Sequence, residues 1–154
     1  MKRKRAAWLF ALAVGIGCWF AQWDRSAHAQ DSDALVMVVN KANAAAAGMT
    51  LGEARKLVLG EISGWRNGTK VVVVLTPAGS NDRVAVLKKV CGMSEAAFTR
   101  YQMQAAFTGQ TAAAVHEAAS VAAVKSVVKA NPGAVGFLHK SQIDESVQSV
   151  LVLE

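Results

Sequence analysis

Lys70-Val71-Val72-Val73-Val74-Leu75-Thr76-Pro77-Ala78-Gly79-Ser80-Asn81-Asp82-Arg83 decides the fold. The β-branched run through Val74 suits a buried strand. Pro77-Ala78-Gly79 breaks that strand, and Ser80 can cap a helix that runs to about Val90. A strand passing through a tight turn into a helix is the repeating unit of an α/β domain.

The segments before it fit the same plan. Leu35-Val36-Met37-Val38-Val39 is a continuous apolar run, as expected of a strand buried on both faces. Asn40 to Gly48 reads as a loop. Thr50-Leu51-Gly52-Glu53 is a capping box for a helix with Leu51, Ala54, Leu57 and Val58 on one face. Gly60 suits its stop. Trp65-Arg66-Asn67-Gly68-Thr69 is the turn that leads into the central strand.

Beyond it, Gly92 ends the second helix and Ser94 caps the next, with Phe98, Tyr101 and Ala105 as its apolar stripe. Thr108-Gly109-Gln110 is a break. A helix is then expected through Val121, Val124 and Val128, with Lys125 and Lys129 near its end, where cations suit the helix dipole. Asn131-Pro132-Gly133 stops it. Ala134 to Leu138 and Val147 to Leu153 read as the remaining strands. The expectation is one α/β domain over residues 30–154 with about four strands flanked by helices.

The start of the chain reads as an address. Lys2-Arg3-Lys4-Arg5 precedes an apolar run from Ala6 to Ala21, shorter than the ~20 residues of a membrane-spanning helix. Ala27-His28-Ala29 offers small side chains to a signal peptidase, so residues 1–29 are expected to be a signal peptide cleaved before Gln30, with the periplasm as destination. Membrane attachment would then require an uncleaved signal, or Cys18 as an acylated residue in a poor lipobox. Residues 1–29 hold five basic groups and one acid, and thus +4 of the net +6, leaving +2 for the rest. The basic balance is therefore no argument for nucleic acid. Cys91 is the one cysteine left after cleavage, so no internal disulfide is expected, and it reads as a buried, inert thiol.

Catalytic material is sparse. His116, read as lying near a helix start, and His139, at a strand end, lack helical ligand spacing, and no metal or cofactor site is expected. Asp144-Glu145 reads as a solvated turn. Gly79-Ser80 lacks the frame of a nucleophile elbow. These observations argue against an enzyme. One segment has anion-binding chemistry: backbone N–H groups at the helix start, the Ser80 hydroxyl, the amides of Asn81 and Asp82, and the Arg83 guanidinium could cradle a small oxyanion. The plainer alternative is that Ser80 is an N-cap and Arg83 a solvated side chain. Asp82 reads both ways, since an acid in the first turn satisfies the dipole without a ligand yet can also accept the proton of a monoprotonated phosphate.

Several blocks occur together in a familiar order. Val38-Val39-Asn40-Lys41 is followed by Leu51-x-Glu53-Ala54-Arg55-Lys56-Leu57-x-Leu59-Gly60-Glu61-Ile62-x-x-Trp65, then Gly79-Ser80, then Pro132-Gly133-Ala134-Val135-Gly136-Phe137. This resembles the periplasmic phosphate-binding proteins of ABC transporters, the PstS-like family, over roughly Leu35 to Leu138. The resemblance implies a single lobe of a type II periplasmic-binding-protein fold, without the second lobe and its anion loop. It carries over Ser80 as an oxyanion donor from the pattern Arg-x-x-Gly-Ser-Gly-Thr. Thr76 stands where that Arg falls, Asn81 replaces the Gly and Asp82 the Thr. Leu57, Leu59 and Trp65 read as core, and Gly133 and Gly136 as sites of turning and close packing.

The expected function is an exported, non-enzymatic solute-binding-like protein. It would bind phosphate or a similar oxyanion weakly, or as a homodimer that supplies a second wall, beside an ABC transporter or envelope partner. The competing expectation is an interaction module of the cell envelope that keeps the fold without the ligand.

Overall fold

The computed structural model describes residues 34–109 and 114–153. The signal-peptide reading of residues 1–29 lies outside them. Among the described residues one sheet has five strands in the order β3-β2-β4-β1-β5: β1 Leu35–Asn40, β2 Val72–Leu75, β3 Ala114–Glu117, β4 Ala134–His139 and β5 Val147–Leu153. β2 runs parallel to β3 and β4, and β1 runs antiparallel to β4 and β5. This is a mixed α/β sheet with flanking helices.

Strand β3 adds a fifth to the roughly four strands expected from the sequence. His116 therefore lies on an exposed stretch of strand and not beside a helix start. Four residues, of which Val115 packs on the core, give too short an apolar alternation to stand out in the sequence. What makes Ala114–Glu117 a strand is the parallel ladder offered by β2, with Val73 opposite Val115 and Leu75 opposite Glu117.

The helices begin and end where local chemistry directs. α1, Leu51–Leu59, opens on the full Thr50–Glu53 capping box and closes on Gly60 at φ 80°. α2, Asn81–Val86, is capped by Ser80 and continues as a π-helical turn, Leu87–Cys91, which Gly92 ends in the left-handed region. α3, Glu95–Thr108, is capped by Ser94, and α4, Val121–Ala130, by Ser120.

Two apolar layers form on the sheet. Met37, Val39, Val73 and Leu75 face Leu57, Val58, Leu87, Val90 and Phe98 of α1, α2 with its π turn, and α3. Val36, Val38, Val74 and Leu138 face Val124 and Val128 of α4. Strand β1 feeds both layers, and so all six of its residues are buried.

Close packing explains the Pro132–Phe137 block. A Cβ on Gly136 would lie 2.6 Å from Val124 Cγ1, so its absence lets α4 lie against the sheet. A Cβ on Gly133 would lie 1.9 Å from the Lys70 carbonyl oxygen. The Gly133 carbonyl accepts a 2.9 Å bond from Trp65 Nε1, which ties two of the quoted blocks together. Asn40 of a third block donates from Nδ2 to Val128 O and Lys129 O, which ties that block to the end of α4. Cys91 is buried, and desolvation pushes its thiol up to about 11, as suits an inert core group.

Candidate anion-binding site

The connections around β2 make its carboxyl end a switch point, the place where an α/β sheet leaves a crevice. From β2 the chain crosses to β3 through α2 and α3 on one face, and from β3 it crosses to β4 through α4 on the other. The chain thus leaves β2 and β3 toward opposite faces. In α/β sheets such a switch point is where ligands bind.

The predicted segment lines this crevice, but its members diverge. Ser80 Oγ accepts from Arg83 N–H at 3.3 Å and lies 2.8 Å from Thr76 Oγ1, so its hydroxyl is engaged by the protein. Asn81 is exposed at the first helical position. Asp82 turns to the end of β4, where its Oδ1 is 3.0 Å from His139 Nε2. Arg83 is not the solvated side chain of the plainer expectation: its side chain is only 10% exposed.

Arg83 is held on every side. Its Nε donates to Glu95 Oε2 at 3.1 Å, and its Nη2 is 2.8 Å from Glu95 Oε1. Its Nη1 donates to Glu117 Oε2 at 3.1 Å and to Thr76 O at 3.4 Å. The guanidinium carbon lies 5.8 Å from the centre of the Phe98 ring. Two carboxylates on one cation leave a local excess of negative charge, which opposes an added anion.

Glu117 reaches across the crevice itself. Pairing of β3 with Leu75 delivers it to the end of β2. Its Oε2 accepts from Ala78 N–H at 3.2 Å as well as from Arg83. Gly79 next to this amide has φ 80°, which shapes the turn that aims it. Two donors thus converge on one carboxylate oxygen. Neither is an amide of the α2 first turn.

Glu95, Glu117 and His139 join the crevice although sequence reasoning does not point to them as binding residues. Glu95 carries a faint signal as the first residue of a capped helix. Glu117 and His139 carry none, because strand pairing alone brings them to the crevice. Among the described residues no group of three or more His, Cys, Asp or Glu side chains could hold a metal ion.

No family model matches the chain. Its structure is similar to solved phosphate-transport proteins. An ABC-type phosphate transport receptor from Vibrio cholerae matches with a TM-score of 0.61 at 24% identity, over 77% of this chain and 45% of the receptor. A putative phosphate ABC transporter substrate-binding protein with bound phosphate from Clostridium perfringens matches with 0.61 at 23%, over 77% and 44%. PstS from Borrelia burgdorferi matches with 0.57 at 13%, over 81% and 52%. The chain thus spans about half the length of these structures. At such identities the likeness is one of architecture: the five-stranded sheet and its helices form a fragment of the type II periplasmic-binding-protein fold.

Proposed function

We propose that the protein is an exported, non-enzymatic solute-binding lobe related to phosphate uptake. It takes phosphate or a similar small oxyanion weakly in the crevice between β2 and β3. The observation that carries this reading is the convergence of Ala78 N–H and Arg83 Nη1 on a single carboxylate oxygen at a switch point of the sheet. A carboxylate oxygen is itself an oxyanion, so the local donors have the right chemistry. The amides of Asn81 and Asp82 would supply further donors, as would the Ser80 hydroxyl once it turns from Thr76, and a second copy or a transporter component would supply a second wall. Glu95 and Glu117 keep the affinity low, at about millimolar.

Calorimetric titration with phosphate and sulfate tests the reading. Saturable heat in the wild type, reduced in Ser80→Ala, is expected. No heat at millimolar ligand overturns it.

A specific observation favours a second reading, a ligand-free interaction module. All three Arg83 nitrogens are engaged by protein groups, and the guanidinium is buried. That reading expects no ligand heat and a specific envelope protein in a crosslinked pull-down.

A further inference from the structure

We infer that Glu117 is an internal plug, a displaceable carboxylate that occupies the oxyanion position and sets its affinity. The inference rests on the oxyanion reading above and deepens it. The two carboxylates on Arg83 differ in how they are held. Glu95 meets the guanidinium with both oxygens, Oε2 by a hydrogen bond from Nε and Oε1 by an ion-pair contact with Nη2 outside hydrogen-bond geometry, and its side chain is 25% exposed. Glu117 offers one oxygen to both of its donors, and its side chain is 54% exposed. A two-point contact resists displacement better than a one-oxygen contact. Ion pairs open to water are also worth little. Glu117 is thus the partner that can leave while Arg83 stays neutralised and fixed by Glu95.

The fold permits that departure. Glu117 ends β3, the edge strand, whose ladder to β2 is made by backbone groups. Ala118 N–H donates to Leu75 O at 2.8 Å just beyond it. Rotation of the Glu117 side chain breaks none of these bonds. It uncovers the Ala78 amide and Arg83 Nη1, a turn amide and a side-chain donor. An incoming phosphate oxygen then takes the place of Oε2, and the same two donors are satisfied again. The protein carries its own competitor, tethered and always present.

The test titrates inorganic phosphate into the wild type, Glu117→Ala and Glu117→Gln, with calorimetry and the Ala78 amide resonance as readouts. Glu117→Ala is expected to bind phosphate roughly tenfold tighter than the wild type, the scale on which an exposed carboxylate competes for a cation. Glu117→Gln, which keeps an acceptor but no charge, should fall between the two. In both variants the Ala78 amide should move with phosphate. Equal or weaker binding in the variants, with a wild type that binds, overturns the plug and leaves the oxyanion reading standing. Absence of binding in all three overturns both. Should Glu117→Ala fail to fold, Glu117→Gln decides by the same criteria.

Discussion

At the entry to β2, the chain is fixed by uncharged contacts. Gly133 lies against the Lys70 carbonyl with no room for a methyl group, and Trp65 fills the core while its indole N–H holds the Gly133 carbonyl. At the exit from β2, charged and polar side chains hold the turn: Arg83 with Glu95 and Glu117, and Asp82 in contact with His139. The difference teaches that steric contacts against backbone admit few substitutes, whereas a charged cluster can be re-paired while the strand and helix beneath it persist. A fold can therefore hold at one end of a strand while the chemistry at the other is rewritten.

Substitutions at the two ends should break in different ways. The largest effect is expected for Gly133→Ala, because the clash is with backbone: a destabilisation on the order of 4 kcal/mol in urea denaturation. Arg83→Met should cost about 2–3 kcal/mol, less than a fully buried pair because Glu117 can turn to water. If Arg83→Met proves the costlier, the exit is the structural anchor and the comparison is reversed. Trp65→Phe should cost about 1.5 kcal/mol by orphaning the Gly133 carbonyl. Ser80→Ala should cost about 1 kcal/mol as a helix cap, whether or not an anion binds.

The smallest effect is expected near the entry, at Glu53. Hydrogen bonds from the Thr50 backbone and hydroxyl hold its carboxyl below the ordinary 4.5, with a lesser contribution from Arg66. A lowered folded-state value means stability that is present above the ordinary value and lost as pH falls through the lowered one. The wild type should thus melt slightly above Glu53→Gln at neutral pH, and the gap should close in acid. A gap that widens in acid would contradict the capping box as the cause.

The legible parts of the molecule are those written locally. Thr50 with Glu53, Ser80, Ser94, Gly60 and Gly92 each act within a few residues, and each marks a helix end as expected. The doubly buried β1 is legible from its unbroken apolar run. Strand β3 is not, because its pairing with β2 is the reason it is extended. The candidate site divides in the same way. Ser80 as a cap is open to reading. The fate of Arg83 is not, since Glu117 arrives from a strand the sequence conceals. Asp82 is ambiguous in sequence, and His139 decides its direction from across the sheet.

The position of β1 has a consequence for how the molecule comes together. It is the earliest described strand, yet it lies inside the sheet between β4 and β5, with Leu35 opposite His139 on one side and Leu153 on the other. Both partners come from the far end of the described chain, so the contacts that complete the sheet are among the most distant in sequence. Loop-closure entropy makes such pairings slow. Until they form, Leu-Val-Met-Val-Val is an unpaired apolar strand, the kind of segment that associates with other chains. During folding it needs shielding or dilution. The described strand buried most completely in the finished sheet is thus itself a liability before that sheet exists.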